Sequence, residues 1–225
     1  MRNAECGVRS ATLFAVSAML ANTPATAQGA GSVAGTQRSN NVHIVSHIPM
    51  RGVADIEIEQ QFSRPYAYIS TDLGFVVVDL KIPEKARELY RWKIDNPELH
   101  QGSSLAPTYL KSRGRYYFFN GFQFRPTGPD GDLGGIVWDV TGLPDTSRVK
   151  EVARVRVPEH KGGFHETFAY KHSSGRALVL TTSESPVARV YDIDGIVAGA
   201  SDGGLVGKIP TTWTDSSFKI GRAHV

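Results

Sequence analysis

The 225-residue sequence contains 25 lysines and arginines and 22 aspartates and glutamates, so its formal net charge is only +3 at pH 7. The charged residues are interspersed without long runs of one sign, which excludes the basic footprint of a nucleic-acid-binding protein. The single cysteine, Cys6, excludes a disulfide framework, and no apolar run is long enough to predict a transmembrane segment.

The first 27 residues have the three parts of a secretory signal peptide. Two arginines come before or beside a short apolar run, Ala11–Ala21, and Ala25-Thr26-Ala27 forms a small-residue cleavage signal. Residues 28–41 are rich in Gly, Ser, Gln and Asn and predict a flexible linker. We therefore expect cleavage near Ala27 and a secreted or periplasmic mature protein.

Three later stretches of the chain repeat one pattern. Each begins with an apolar run that ends in an aspartate, continues through a polar turn and a second apolar run, and ends in a proline. The stretches are Gly74–Pro97, Gly135–Pro158 and Ala188–Pro210. The proline follows after 18, 19 and 18 residues, counted from Asp79, Asp139 and Asp192. This register indicates a repeat protein, and we interpret the three aspartates as turn-forming residues.

Each repeat unit contains four short segments rich in Val, Ile, Tyr and Phe, a composition typical of β-strands. The units cover residues 50–97, 98–158 and 159–210. The predicted strands are Ala54–Gln60, Tyr66–Ser70, Phe75–Leu80, Leu89–Ile94, Ala106–Leu110, Tyr116–Phe122, Ile136–Val140, Lys150–Val157, Phe164–Lys171, Ala177–Thr182, Ala188–Ile193 and Leu205–Ile209. Four strands per unit predict an all-β fold, a β-propeller of four-stranded blades with about three blades present. The alternative for four-stranded units is a β-sandwich or an open meander, but a sandwich has no reason to repeat its sequence.

The repeat also resembles a known family. The segments FVVVDLKIPEKA, IVWDVTGLPDTS and VYDI are similar to the repeat of the LVIVD-repeat proteins, which are secreted or surface bacterial β-propellers of mostly unassigned function. The resemblance covers about residues 42–210. It departs from the family in the third unit, where DIDGIVAGASDGG replaces the usual aspartate–x–proline turn. The resemblance implies a propeller and implies little about activity.

Both ends of the repeat region are predicted to be incomplete. Residues 42–49 (VHIVSHIP) resemble the second half of a unit, and we interpret them as an orphan strand that closes the ring. Three blades leave a ring open, because propellers have four to eight. Residues 211–225 then begin a truncated blade, and residues 220–225 (IGRAHV) match a translated sequencing adapter, so we expect the gene to continue. The alternative is a natural short chain that closes its ring by oligomerising.

In a four-stranded meander, the loops between units and the loops between the second and third strands emerge on one face. We call this face the histidine rim. The polar side chains that it is expected to gather are Asp72, His100, Gln101, Asp130, Asp132, His165, Glu166 and Glu184. Propellers commonly bind ligands on such loops. The sequence therefore predicts a scaffold that binds an unknown protein, glycan or small-molecule ligand at the histidine rim.

Two residues of the histidine rim also suggest a metal centre. His100 and His165 follow the repeat proline in neighbouring units, before or at the start of a predicted innermost strand. Imidazole is a common metal ligand, and Glu166 is a suitable third ligand or general base. This predicts an alternative function, a metal-dependent propeller hydrolase or oxidase with a divalent metal ion. The competing interpretation is that each histidine only hydrogen-bonds to its loop.

The second unit is longer than the others by a turn-rich segment, Arg125–Gly134. Its Asp130-Gly131-Asp132 resembles the start of a calcium loop, but an EF-hand would need an oxygen ligand at Gly134 and a glutamate at Thr141. We interpret the segment as a loop of the histidine rim. The sequence contains no Ser-His-Asp nucleophile elbow, phosphate-binding loop or dinucleotide-binding fingerprint.

Overall fold

The computed structural model describes residues 41–183 and 186–210. The predicted signal peptide, Glu184 and the predicted truncated blade at residues 211–225 lie outside the described residues. Each of the twelve predicted strands is present, with ends that differ by a few residues in most cases.

The strands form three antiparallel sheets of four, each with its strands in chain order. Blade 1 consists of β1 (Asp55–Ile58), β2 (Tyr66–Thr71), β3 (Gly74–Asp79) and β4 (Arg87–Lys93). Blade 2 consists of β5 (Gly102–Ser112), β6 (Arg115–Phe124), β7 (Leu133–Asp139) and β8 (Lys150–Arg156). Blade 3 consists of β9 (Glu166–Lys171), β10 (Ala177–Thr182), β11 (Val187–Asp192) and β12 (Leu205–Pro210).

The first strands of the three blades lie next to one another, with β5 in contact with both β1 and β9. The sheets therefore stack side by side around a shared inner wall, and β4, β8 and β12 form the outer edges. This is the architecture of β-propeller blades, and it confirms the predicted fold class.

Aromatic side chains fill the space between blades 1 and 2. Phe75 of blade 1 is fully buried, with its ring centroid 4.7 Å from that of Phe118 and 5.2 Å from that of Trp138. Alternate residues of β6 serve different interfaces, because side chains of a strand point to opposite faces in turn. Phe118 faces blade 1, whereas Phe119 packs against Phe164 and the core shared with blade 3.

A buried ion pair also joins blades 1 and 2. Arg64 donates to Glu59 from Nε at 2.8 Å and from Nη2 at 3.1 Å, and to the carbonyl of Val140 in blade 2 at 2.9 Å. Its guanidinium lies 4.0 Å from the centre of the Tyr116 ring. Burial and the neighbouring Glu59 raise the pKa of Tyr68 well above its ordinary value. Tyr68 therefore stays protonated and donates its hydroxyl hydrogen to Glu59.

Each third strand ends in the repeat aspartate, whose carboxylate makes the same two contacts in every blade. One oxygen accepts from the backbone N–H two residues later, at 2.9 Å for Asp79, 2.9 Å for Asp139 and 3.0 Å for Asp192. The other oxygen accepts from an arginine, at 3.4, 2.7 and 2.6 Å in the three blades. The side chain thus forms an Asx turn that leads the chain out of the strand.

The outer strands carry a β-bulge at the same position in each blade. The pairing register shifts just before the repeat aspartate, which leaves one extra residue on the outer strand. The extra residues are Leu89, Val152 and Val206. In blades 1 and 2 a Glu–Arg pair flanks the bulge, with Arg91 Nε 2.9 Å from Glu88 and Arg154 Nε 2.7 Å from Glu151.

Blade 3 differs from the others where its sequence departs from the repeat. A short helix, α1 (Ile193–Val197), follows β11, whereas blades 1 and 2 have the 3-10 turns Pro83–Lys85 and Thr146–Arg148. Ile193 is fully buried in the core between blades 2 and 3, so the inserted turn is held by packing. Across the described ranges, no helix is both long enough and apolar enough to cross a membrane.

The segment before blade 1 lies on that blade without forming a regular strand. Ile48 and Met50 pack against the apolar side chains of Ala67, Val76 and Val78. The strand predicted for residues 42–49 would pair with a further blade, so the closing role of this segment remains a prediction.

Candidate functional site

The segment that joins blades 1 and 2 places His100 over blade 2. A 3-10 turn, Pro97–Leu99, follows Asn96, whose positive φ of 50° redirects the chain. His100 Nδ1 lies 3.1 Å from the Asn96 carbonyl, and Nε2 lies 3.2 Å from Asp130 Oδ2. The side chain is only 5% exposed, and its ring packs against that of Phe124. Both ring nitrogens are therefore engaged by the protein.

Asp130 connects His100 to the end of β8. Its second oxygen, Oδ1, lies 2.6 Å from Arg156 Nη2, and Arg156 Nη1 lies 2.6 Å from Asp132 Oδ1. Four side chains from three separate segments thus form one continuous network, which we call the rim network: His100, Asp130, Asp132 and Arg156. It fixes the turn-rich loop of blade 2 against the segment that precedes that blade.

The charges of the rim network alter the acidity of Asp130. Partial burial alone would raise its pKa, but hydrogen bonds from Arg156 and His100 and the charge of Arg156 hold the pKa below the ordinary 3.8. A lowered carboxyl pKa stabilises the fold above the pKa of the unfolded chain, and the contribution is lost as the pH falls through the folded pKa.

Replacing Asp130 with asparagine should therefore lower the melting temperature at pH 7 but not at a pH well below 3.8. Because Arg156 is 38% exposed, we expect a loss of at most about 1 kcal/mol, or about 2–4 °C. The measurement is thermal unfolding followed by circular dichroism across this pH range. Asp72→Asn, on the same rim but in no ion pair of the described residues, is the control. An equal fall in melting temperature at both pH values would contradict a stabilising effect that depends on the lowered pKa of Asp130.

His165 lies apart from the rim network. Its backbone N–H donates to the Thr182 carbonyl at 2.8 Å, which anchors the start of β9. Its Nδ1 is 3.6 Å from Glu166 Oε1, and the side chains of His165 and Glu166 are 44% and 64% exposed. Within residues 41–183 and 186–210, no three His, Cys, Asp or Glu side chains are grouped to hold a metal ion. The structure thus brings His100 to Asp130, and it does not bring His165 into that group.

Two further residues of the histidine rim make structural hydrogen bonds through their backbone carbonyls, one between blades 1 and 2 and one within blade 2. The Asp72 carbonyl accepts from the Ser104 N–H at 2.9 Å, and the Gln101 carbonyl accepts from the Arg125 N–H at 2.8 Å. The first contact ties the β2–β3 turn to β5. The second contact ties the start of β5 to the end of β6.

A groove of about 290 Å³ opens beside the Gln101–Arg125 contact. We call it the rim groove, and its polar lining comes from Gln101, Ser103, Gln123 and Arg125. Phe124 also belongs to the lining, but the residue is buried and its ring packs against His100 and Phe122. No side chain of the described residues pairs with the Arg125 guanidinium in a hydrogen bond or ion pair. The groove therefore offers amide, hydroxyl and guanidinium groups to a ligand.

Arg156 and Gln123 were not predicted from the sequence as site residues. Arg156 lies in the alternating run VARVRVP, which indicates only a strand with one polar face. Its pairing with two aspartates 24 and 26 residues earlier depends on how the β6–β7 loop folds back. Third strands end on the face opposite the rim loops, so fourth strands run back and end on the histidine rim. This rule places the end of β8 on the rim, and Arg156 could have been predicted from it.

No protein-family model matches the chain, and no curated protein matches it. Among solved structures, the chain is similar to the periplasmic gluconolactonase PpgL of Pseudomonas aeruginosa, with 18% sequence identity and a TM-score of 0.46. The match covers 73% of this chain and 40% of that chain. The present chain therefore spans about two fifths of the length of that structure.

Proposed function

We propose that the protein is a secreted or periplasmic β-propeller that acts as a binding scaffold through its histidine rim. The observation that carries this proposal is the rim groove, where polar side chains converge next to the rim network. The network holds the loop that contributes Arg125, so the groove is ordered before a ligand arrives. Preorganised polar groups that converge in a groove are typical of small-ligand sites.

The groups of the rim groove favour an acidic glycan. A guanidinium binds a carboxylate through two parallel hydrogen bonds, and Arg125 has no competing carboxylate within the described residues. The side-chain amides of Gln101 and Gln123 can each donate to and accept from sugar hydroxyls. A groove of about 290 Å³ accommodates one or two sugar rings at the lower end of the usual range for ligand sites.

Isothermal titration calorimetry with trigalacturonate tests this proposal. We expect saturable binding by the wild type and at least about tenfold weaker binding by Arg125→Ala, because a charge-assisted pair is lost. The methyl ester of the same trisaccharide carries no charge, so the wild type should bind it as weakly as Arg125→Ala binds the acid. Lys81→Ala, an exposed change on the opposite face, is the matched control. Equal binding of acid and ester, or no loss in Arg125→Ala, would contradict the acidic-glycan assignment.

The alternative function, a metal-dependent hydrolase or oxidase, assigns His100 and His165 as ligands and Glu166 as the base. It requires His100 to exchange its contact with Asn96 or Asp130 for a metal ion. Elemental analysis of the same preparations, with the His100→Ala/His165→Ala variant beside the wild type, separates the two functions. Near-stoichiometric metal that disappears in the variant would favour the enzyme, and no bound metal in either protein would favour the scaffold.

A further inference from the structure

A second polar groove, of about 520 Å³, lies on the face opposite the histidine rim. It opens between the turn of the β5–β6 hairpin and the segment that joins β7 to β8, both in blade 2. We call it the basic groove, because four exposed cationic residues line it: Arg113, Arg115, Arg148 and Lys150. Asp139 is the one carboxylate that the described residues contribute to its lining.

Two of these cations are paired with carboxylates through one nitrogen each. Arg115 Nη1 lies 2.7 Å from Asp139 Oδ2, and Arg113 Nε lies 3.0 Å from Asp194 Oδ2 in blade 3. A guanidinium carries five N–H donors in a rigid fork, so most of the donors of each arginine are not used by its pair. Both arginines can therefore donate to a ligand without giving up these ion pairs.

The pairing register explains why Lys150 has no carboxylate of its own. In blade 1, Asp79 is opposite Arg87 on the outer strand, and the two form an ion pair at 3.4 Å. In blade 2, Asp139 is opposite Lys150 in the same register, but its carboxylate binds Arg115 of β6 instead. Lys150 forms no ion pair with a carboxylate of the described residues, so its charge is available to an anion.

The Arg148 side chain likewise forms no hydrogen bond or ion pair within the described part of the chain. It ends the 3-10 turn Thr146–Arg148 and lies across Gly142. A Cβ at Gly142 would overlap with Arg148 Cβ and lie 3.1 Å from its Nε, so a larger residue there would displace the arginine. Asp145, outside the lining, accepts from the backbone and the hydroxyl of Ser147 at 3.2 and 2.6 Å.

We propose that the basic groove binds a phosphate monoester. Four cations against the two carboxylates that pair with them leave an excess of two positive charges, which suits a group of charge about −1.5 to −2 at pH 7. Guanidinium groups match the oxygen geometry of phosphate, and the lysine adds a point charge. The volume exceeds what a phosphate group alone needs, so the groove also accommodates the organic part of the ester.

Calorimetric titration of the protein with glycerol 3-phosphate at low ionic strength tests this site. We expect saturable binding by the wild type and about tenfold weaker binding by Lys150→Gln and by Arg148→Gln, because each change removes a charge-assisted contact. Lys150→Arg keeps the charge and should bind like the wild type. Lys85→Gln is the matched control, because Lys85 ends the corresponding 3-10 turn of blade 1 and lies outside the groove.

The same titrations contain the results that would overturn the proposal. These are wild-type affinity in Lys150→Gln or Arg148→Gln, an equal loss in Lys85→Gln, or equal affinity for glycerate, which carries a single charge on a carboxylate. Circular dichroism melting of each variant verifies that it is folded under the titration conditions. All the exchanged side chains are exposed, so the fold should tolerate the changes.

The basic groove shares no residue with the rim groove, so the two proposals can be tested separately. Arg125→Ala should bind glycerol 3-phosphate like the wild type, and Lys150→Gln should keep the wild-type response to trigalacturonate. Loss of glycerol 3-phosphate binding in Arg125→Ala would contradict a separate site.

A soluble ester and the headgroup of phosphatidate carry the same phosphate group. Co-sedimentation with phosphatidylcholine vesicles, prepared with and without phosphatidate, distinguishes these two sources. Sedimentation that requires phosphatidate and is lost in Lys150→Gln would assign the site to a lipid headgroup, whereas binding of glycerol 3-phosphate without sedimentation would assign it to a soluble ester. Binding to neither probe would overturn the proposal.

Discussion

Replacing Phe75 with alanine should lower the free energy of unfolding by about 3–5 kcal/mol, the largest effect that we expect from one apolar change in this protein. The ring is fully buried and contacts Phe118 and Trp138 across the interface of blades 1 and 2. Its removal leaves a cavity that the surrounding strands cannot close, because their backbones are fixed by sheet pairing on both sides.

Urea unfolding followed by circular dichroism measures this loss. Phe62→Ala is the matched control, since Phe62 is fully exposed and its removal should change the free energy of unfolding by less than about 0.5 kcal/mol. A loss near 1 kcal/mol for Phe75→Ala would contradict the tight packing of this interface.

Replacing Arg64 with alanine should cost about 3–5 kcal/mol for a different reason. The change leaves the carboxylate of Glu59, whose side chain is 0% exposed, without a cation and removes the hydrogen bond to the Val140 carbonyl. An unpaired charge in the protein interior is strongly unfavourable. The loss of stability therefore comes from the Glu59 carboxylate, which stays buried without a cation after the change.

A double-mutant cycle tests this explanation. Glu59→Ala/Arg64→Ala should be clearly less destabilised than the sum of the two single variants, because the double variant buries no unpaired charge. Arg91→Ala breaks the exposed pair with Glu88 and should cost less than about 1 kcal/mol. Additive losses in the cycle would show that Glu59 and Arg64 do not depend on each other.

The repeat made most of the fold predictable. An apolar run before Asp79, Asp139 and Asp192 marked the third strand of every blade, and the turn signals on either side marked its neighbours. The alternation of side chains along β6 explains why its aromatic residues are shared between two interfaces. The helix α1 was not predicted, because DIDGIVAGASDGG contains too short a helical pattern to stand out from a turn.

The candidate site was less predictable than the fold. In the structure, His100 Nε2 lies 3.2 Å from Asp130 Oδ2. The topology argument assigned both residues to one face of the sheets without pairing them. It could not show that Asn96 and Asp130 engage both nitrogens of His100, because that depends on a local turn with positive φ. The sequence also did not predict that Glu59 and Arg64 are buried, because charged residues at a strand end normally lie in a solvent-exposed turn.

The bulges of β4, β8 and β12 affect how separate molecules of this protein can associate. A regular outer strand would present an unbroken row of N–H and C=O groups on which a neighbouring molecule could extend the sheet. In all three blades the bulge interrupts that row, and in blades 1 and 2 the Glu–Arg pairs add charge beside it. Fibril-like stacking, which requires flat and uninterrupted strands, is therefore disfavoured along the outer edges.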